Sequence, residues 1–261
     1  MPKITLFRIV VILVLLVVIL YVIAYYYIKR EVATGGLRFN KYLLHHCEDQ
    51  KAVFDSAAFP WTKNFRDRHL AILQEFETYR KEYSVPSYAD INKAVSGNVV
   101  GWKSLFLRVF NNDTTIISHF PVTKSLIDTC DCTTAYFSIL EPGTTIPPHV
   151  GISRGVLRYH LGLIVPDDYK NCFIIVDGVK LHWTVGSDVM FDDLFLHEVQ
   201  NNTNQQRVVL FLDIKRKFKS WHANLVNEIA LKLISCNDQL LTTVDKANRL
   251  ATKKNLLSSP K

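Results

Sequence analysis

The sequence lacks most of the short motifs that identify a function directly. Its 5 cysteines are scattered and form no Cys-x-x-Cys pair, so they indicate neither a zinc finger nor a disulfide framework. It has no glycine-rich phosphate loop, no RNA-binding aromatic motif and no internal repeat. The net charge of +7 is dispersed apart from one basic run, 215–219, which argues against a nucleic-acid partner. Any functional site must therefore combine side chains that are distant in sequence.

One long uncharged run is present, and it lies near the N-terminus. Residues 9–28 are almost wholly aliphatic, and about 20 residues at about 1.5 Å each can cross a bilayer of roughly 30 Å. The run ends in three tyrosines followed by Lys29 and Arg30, which favours an uncleaved anchor over a signal peptide. We therefore predict a short tail over 1–8 and a single transmembrane helix over 9–28.

The orientation of this anchor is not decided by the charges that flank it. Two basic residues precede the run and two follow it, so the positive-inside rule is close to a tie. The triplets Asn112-Asp-Thr114 and Asn201-Asn-Thr203 match the glycosylation sequon. They lead us to expect a luminal domain, in the endoplasmic reticulum or Golgi.

The rest of the chain divides into three parts. Residues 29–55 are predicted to form a polar stalk, in which the pair His45-His46 lies on the surface. Residues 56–216 form the predicted catalytic domain. Residues 217–261 are predicted to form an amphipathic helix and a frayed basic tail. The apolar stripe of that helix, with Leu225, Ile229 and Leu233, would pack on the barrel or on a membrane.

Hydrophobic periodicity predicts two helices followed by a mainly β domain. A helix over 68–83 would pack through Leu70, Leu73 and Phe76, and a short helix is expected over 123–129. Strand composition then recurs between turn signals. The predicted strands cover 102–110, 135–140, 156–164, 172–176, 179–183, 188–191 and 207–214. This pattern predicts a double-stranded β-helix, the jelly-roll of the cupins, with flanking helices.

Polar residues inside these strands are the first candidates for a site. Arg158 and His160 are two apart on one strand, so they point to the same face, and Ser138 can line that face too. Buried arginines such as Arg158 and Arg207 need an anion. Asp192, Asp193, Glu198 or Asp213 could supply it, and so could a bound dicarboxylate, since guanidinium groups clamp carboxylates in pairs.

Two further histidines could bind a metal ion. His149 follows the rigid sequence Ile146-Pro-Pro148, and His197 lies on a predicted bend between two strands. Iron oxygenases usually add a carboxylate two residues after the first histidine, but that position is Gly151. The residues alone thus leave the metal site incomplete.

A set of short motifs is spread through residues 59–214. They are Phe59-Pro-Trp61, Phe120-Pro-x-Thr123, Ser138 with Pro142-Gly-Thr144, His149-x-Gly151, Arg158-x-His160-Leu-Gly-Leu, Trp183-x-x-Gly186, Phe191-Asp-Asp193, His197-Glu-Val199 and Arg207. Together they resemble the motifs of the aspartyl/asparaginyl β-hydroxylase family of Fe(II)- and 2-oxoglutarate-dependent dioxygenases.

The resemblance implies a role for each candidate residue. His149 and His197 would be the only protein ligands of Fe(II), with glycine in place of the usual acid. Arg158 and His160 would bind the 1-carboxylate of 2-oxoglutarate, and Arg207 with Ser138 the 5-carboxylate. Asp193 would hold an iron-bound water or an imidazole. With O2, such a site would hydroxylate an unactivated carbon.

The substrate is not implied by the resemblance. Family members hydroxylate Asp or Asn side chains of proteins, and bacterial relatives hydroxylate an acyl chain of lipid A. We expect a peptide or protein substrate, with a lipid as the alternative. A non-catalytic binding module on the same barrel is a third hypothesis. A hydrolytic zinc site is a fourth, although zinc usually takes three protein ligands.

Overall fold

The computed structural model describes residues 3–33 and 37–254. Helices precede, interrupt and follow a β core. They are α1 (Lys3–Ala33), α2 (Leu37–His45), α3 (Trp61–Asp67), α4 (His69–Glu82), α5 (Tyr88–Ile91), α6 (Lys93–Ser96), α7 (Pro121–Ile127), α8 (Trp221–Ser235) and α9 (Asp238–Ala251). Helix α1 contains a stretch, Phe7–Tyr27, that is long and apolar enough to cross a membrane. Its length and composition are consistent with the predicted anchor.

The strands form two antiparallel sheets. The strands are β1 (Val53–Phe54), β2 (Trp102–Val109), β3 (Asn112–Asp113), β4 (Cys132–Leu140), β5 (Thr145–His149), β6 (Val156–Ile164), β7 (Cys172–Val176), β8 (Val179–His182), β9 (Asp188–Phe191), β10 (His197–Asn201) and β11 (Arg207–Lys215). One sheet has the order β1-β9-β6-β11-β4-β2-β3 and the other β5-β10-β7-β8. This is a mainly β, jelly-roll fold with flanking helices, as predicted.

The larger sheet is buried on both faces, and alternation along each strand assigns its side chains to one face or the other. Phe137 and Leu210 point outward and pack with Phe76 of α4 and with α7. Leu140 and Val209 point inward and pack with the smaller sheet. The inner face of the larger sheet also carries most of the polar candidates, which therefore lie between the two sheets.

The predicted strands agree closely with seven of the observed ones, but the two-residue strands β1 and β3 and two longer strands were missed. The two longer ones are β5 and β10, which carry the two candidate metal ligands. Consecutive prolines in β5 argue against a strand, and they are tolerated here because β5 lies at the edge of its sheet. In the helix at 69–82, Phe76 is buried as expected, but Leu70 is 66% exposed. Ile72 takes the inward position instead.

The two segments that flank the predicted domain are more ordered than expected. Part of the predicted stalk folds onto the domain, since α2 buries Leu43 against Phe218 and Ala223. At the other end, the predicted frayed tail contains α9, and Tyr79 donates a hydrogen bond to the carbonyl of Ala251 (2.9 Å). Residues 34–36 of the stalk and 255–261 of the tail lie outside the described residues.

Helix α8 forms within the predicted C-terminal segment, but it packs through residues other than the predicted stripe. Its buried residues include Ala223, Asn227 and Leu231, whereas Leu225 of that stripe is 50% exposed and Ile229 and Leu233 are half-buried. Small and medium side chains allow close packing on the barrel.

The asparagines of the two sequons differ in exposure. The side chain of Asn201 is fully buried, and its amide nitrogen donates to the carbonyls of Leu140, Glu141 and Gln205. Asn112 is half-buried, and its amide donates to the carbonyl of Ser235 (2.9 Å). The folded structure thus leaves no room for a glycan on Asn201, and the luminal location stays a prediction.

Candidate active site

His149 and His197 lie side by side at one end of the smaller sheet. His149 is the last residue of β5, His197 is the first of β10, and the two are paired across the strands. Their ring centroids are 4.1 Å apart. His197 is 3% exposed, and His149 is partly exposed. The strand pairing thus brings together two imidazoles that are 48 positions apart in sequence.

Backbone carbonyls orient both rings in the same way. Nδ1 of His149 lies 2.8 Å from the carbonyl of Pro147, and Nδ1 of His197 lies 2.9 Å from that of Phe195. A carbonyl can only accept, so each Nδ1 carries the proton and each Nε2 presents a lone pair. Each histidine therefore presents the nitrogen that a metal ion requires.

The environment also keeps both rings neutral. Burial lowers the pKa of His149, although the bond to Pro147 partly opposes this. Burial, together with the neighbouring His149, lowers the pKa of His197 to about 3. At neutral pH, protons therefore compete little with a metal ion for either Nε2.

Asp193 occupies the space that the absence of a side chain at Gly151 leaves open. A Cβ at residue 151 would overlap the Asp193 carboxylate. The backbone N–H of Gly151 also donates to the carbonyl of Asp193 (2.7 Å). A carboxylate is thus present near the histidines, but it comes from another loop. In the part of the chain that the structure describes, it accepts no hydrogen bond from either imidazole, because the carbonyls of Pro147 and Phe195 hold the rings.

Arg158 on β6 is paired with two carboxylates of the protein. Its Nη2 lies 2.8 Å from Asp193 Oδ2, and its Nε lies 3.1 Å from Asp213 Oδ1. Burial alone would lower the pKa of Arg158, but Asp193 and Asp213 together raise it. Burial raises the pKa of Asp193 to about 7, against the opposing effect of Arg158. Of the two kinds of anion expected for Arg158, a carboxylate of the protein or a bound dicarboxylate, the structure shows the first.

Arg207 on β11 is buried without a carboxylate. It is 1% exposed, and among residues 37–254 no Asp or Glu lies within ion-pair distance of it. Its Nη1 donates to the carbonyl of Ser138 (3.2 Å), and its guanidinium lies 4.8 Å from the Trp183 ring centroid. Burial lowers its pKa. A buried cation in this state needs an anion.

Several buried polar atoms next to Arg207 have no hydrogen-bond partner within the described chain. They are both ring nitrogens of His160, Nε1 of Trp183, Nε of Arg207 and, nearer the histidines, Oδ1 of Asp193. Burial and the charges of Arg207 and Arg158 hold the pKa of His160 well below its usual value. Native proteins leave few such atoms unpaired. Their concentration between the sheets is typical of a site that receives a polar ligand.

Ser138 lies in the same region, but its hydroxyl is already engaged. It accepts a hydrogen bond from Nε1 of Trp102 (3.2 Å). Residue 138 therefore contacts Arg207 through its carbonyl, while the hydroxyl keeps the hydrogen that it can donate. Trp102 and Trp183 were not assigned roles from the sequence. Trp183 belongs to the motif Trp183-x-x-Gly186, and this motif was the sequence signal that could have placed it in the site.

A buried ion-pair network fixes the loops that carry the histidines. Asp192 is fully buried and is bound by Arg154 (2.8 Å) and by Arg216. Arg216 also donates to the carbonyl of Asp49 (2.9 Å). These contacts join the loop after β5, the loop before β10 and the chain that precedes β1. Sequence spacing gave no signal for this network, because its residues come from four separate segments.

The described residues contain no group of three or more His, Cys, Asp or Glu side chains placed to hold a metal ion. The pair His149 and His197 remains as the candidate. Two neutral imidazoles leave most positions of a six-coordinate ion open to other ligands. An organic ligand that binds a metal ion at one end and carries a carboxylate at the other could engage both an ion held by the two histidines and the guanidinium of Arg207, which has no carboxylate partner among the described residues.

Comparison with known proteins agrees with this geometry. The family model described as "Aspartyl/Asparaginyl beta-hydroxylase" matches residues 66–217. The chain belongs to this family. The match covers every candidate residue named above.

The relatives differ in the share of their length that aligns with this chain. An ornithine lipid ester-linked acyl 2-hydroxylase of Rhizobium tropici is 38% identical over 187 residues, which cover 69% of this chain and 66% of that protein. The human aspartyl/asparaginyl beta-hydroxylase is 32% identical over 111 residues, which cover 42% of this chain and 13% of that protein. The chain thus spans less than two thirds of either relative.

Among solved structures, a predicted oxalate decarboxylase of Thermotoga maritima aligns with 51% of this chain and 92% of its own. The TM-score is 0.33 and the sequence identity 12%.

Proposed function

We propose that this family member is a membrane-anchored hydroxylase that uses Fe(II), 2-oxoglutarate and O2. His149 and His197 would hold the iron through Nε2, since both Nδ1 atoms are engaged with carbonyls. The supporting observations are the 4.1 Å separation of the ring centroids and the lowered pKa values of both rings. The absence of a side chain at Gly151 fits a centre with two histidine ligands.

The observation that carries the proposal is the buried Arg207 without a carboxylate partner. 2-Oxoglutarate has two carboxylates, and the distal one would pair with this guanidinium and with the hydroxyl of Ser138. The unpaired nitrogens of His160 and Trp183 offer further donors in the same space. The 1-carboxylate would lie towards the histidines, at Arg158 and His160.

Arg158 would have a second task, because it is already bound by Asp193 and Asp213. These two carboxylates offset its charge and fix its position. Asp193, which also contacts Gly151, would hold a water molecule at the metal through its unpaired Oδ1. A keto-acid that binds Arg158 would therefore share this guanidinium with Asp193 and Asp213. At Arg207, by contrast, it would meet a guanidinium without a carboxylate partner.

When bound, iron and the keto-acid would supply the oxidising power for inserting oxygen into a C–H bond. The protein contributes orientation and exclusion of water. The rings of Phe191 and Phe211 pack against His160, at 5.2 and 4.9 Å between centroids. Phe191 also packs against His197 at 5.5 Å. These apolar walls keep bulk water away from the reacting centre.

For the substrate, the structure favours an acyl chain. Three apolar residues next to the metal ligands are exposed: Val150 (55%), Ile152 (57%) and Leu196 (58%). Such a rim suits a hydrocarbon chain more than the charged side chain of an aspartate. The Rhizobium tropici relative, by its name, acts on an acyl chain. Hydroxylation of Asp or Asn in a peptide, which the sequence led us to expect first, becomes the second candidate; the human relative is named for that reaction.

The test is turnover by the full chain in lipid vesicles with Fe(II), 2-oxoglutarate and O2. We expect succinate formation together with the gain of one oxygen atom by a lipid from a lipid extract, detected by mass spectrometry. An EGF-like peptide is offered in parallel, and oxygen on the peptide alone would favour the second candidate.

A matched pair of histidine variants controls for structural damage. His197→Ala should lose iron binding and succinate formation together. His182→Ala should keep both, because His182 lies on β8 and contacts Tyr169 instead of His149. Full succinate production by His197→Ala would show that the metal assignment is wrong.

A further inference from the structure

The end of the barrel that carries the histidines is tied to the membrane-proximal part of the chain. Ala33 ends α1 and Leu37 begins α2, so their Cα atoms lie within about 15 Å, at about 3.8 Å for each residue. Asn40 is three residues further, about 4.5 Å along the axis of α2. Helix α2 therefore lies close to the point where the chain would leave a bilayer.

Asn40 clamps the loop that follows the first histidine. Its amide nitrogen donates to the carbonyl of Ile152 (2.9 Å), and its amide oxygen accepts from the backbone N–H of Arg154 (2.9 Å). The two bonds cross 112 and 114 positions of sequence. They hold the loop with Val150 and Ile152 next to the membrane-proximal helix.

Helix α8 belongs to the same side of the molecule. It packs against α1, and His222 at its start is hydrogen-bonded to Tyr42 of α2 (2.9 Å). Asn227 of α8 donates to the carbonyl of Gly155 in the histidine loop (3.0 Å). Helix α2, the loop and α8 thus form one bonded assembly.

This assembly exposes several apolar side chains, and basic residues lie beside them in the sequence. On α8, Trp221 is 76% and Leu225 is 50% exposed, one helical turn apart. Lys217 and Lys219 precede them and are exposed. On the loops, Val150, Ile152 and Leu196 are exposed around the histidines. Apolar side chains flanked by lysines suit the interface of an anionic bilayer, where tryptophan also prefers to lie.

We infer that this surface rests on the bilayer from which α1 emerges, so that the active-site mouth opens onto the lipid headgroups. A lipid substrate then enters from the membrane without crossing bulk water. The inference rests on the proposed anchor and the proposed hydroxylase function. It concerns the position of the domain on the membrane and not the chemistry at the iron.

The test is photo-crosslinking of the full chain in vesicles of phosphatidylethanolamine and phosphatidylglycerol. Benzoylphenylalanine replaces Ile152, Trp221 or Val185, one at a time. Val185 is the matched control, because it is 53% exposed and lies in the turn before β9, at the other end of the strands from the histidines. We expect phospholipid adducts at 152 and 221 to exceed those at 185 several-fold.

Two results would overturn the inference. One is an equal yield of lipid adducts at all three positions, and the other is crosslinking of 152 or 221 mainly to a second copy of the chain. In the double variant Trp221→Asp with Leu225→Asp, lipid adducts at 152 should fall, whereas Val185→Asp should leave them unchanged. The crosslinking needs neither iron nor 2-oxoglutarate, so its failure would leave the turnover test of the hydroxylase standing.

Discussion

The two buried arginines of the barrel, Arg158 and Arg207, differ in what surrounds them. Both lie on the inner face of the larger sheet, on the neighbouring strands β6 and β11. Arg158 has two carboxylates of the protein within 3.1 Å, whereas Arg207 has none within ion-pair distance among the described residues. The fold supplies carboxylate partners to the first arginine and only a carbonyl and an aromatic ring to the second. Under the proposed function, the same residue type would stabilise the protein at one position and bind a co-substrate at the other.

The largest effect is expected when the satisfied arginine is removed. Arg158→Met leaves Asp193 and Asp213 buried without their cation, and breaking a buried pair in this way costs about 3–5 kcal/mol. The free energy of unfolding of the ligand-free protein, measured by denaturant titration, should fall by this amount. A loss below about 1 kcal/mol would show that the two aspartates do not depend on Arg158.

Removal of the other arginine should have the opposite pattern. Arg207→Met takes away a buried charge that has no carboxylate partner, so the stability of the ligand-free protein should stay the same or rise. The affinity for 2-oxoglutarate should fall about 100-fold, because two charge-assisted hydrogen bonds of about 1.5 kcal/mol each are lost. Isothermal titration measures the affinity, and denaturant titration the stability. A destabilisation as large as that of Arg158→Met would remove the distinction between the two residues.

A smaller effect is expected on the pH dependence of stability, and it distinguishes Asp193 from Asp213, the two partners of Arg158. Burial raises the pKa of Asp193 from 3.8 to about 7, so the folded state binds its proton more tightly than the unfolded state does. The contribution of Asp193 to stability is therefore greatest at low pH and is lost as the pH rises through this window. Asp193→Asn should flatten the profile by up to about 1.4 kcal/mol per pH unit. Thermal unfolding of the ligand-free protein across the window measures this, and an unchanged slope would contradict it.

The features that could be predicted from the sequence are those with a local pattern. The alternation in 156–164 and 188–191 predicts the strands with the observed bounds, and it predicts that Arg158 and His160 share a face. The assignment of the two histidines and Arg207 to one site came from the family resemblance, because these residues are too far apart in sequence for any local spacing to connect them. The apolar run 9–28 predicted a helix from length alone, and α1 covers it.

The features that could not be predicted depend on contacts between distant segments. Whether Arg158 and Arg207 had partners among four aspartates and glutamates was open, because only the fold decides which carboxylate lies nearby. The role of Asn40 had no sequence signal, since its two bonds join α2 to a loop more than a hundred residues away. The strand β10 was missed because its five residues have little strand pattern of their own and are recognisable only through their pairing with β5 and β7.

The most direct measurement of the central claim is an anaerobic titration of the purified protein with Fe(II) and 2-oxoglutarate. A keto-acid chelated to ferrous iron gives a visible metal-to-ligand absorption band. We predict that the band appears in the wild-type protein, is lost in His197→Ala, and requires much more 2-oxoglutarate in Arg207→Met. A wild-type protein without the band, or a band that His197→Ala leaves unchanged, would contradict the account.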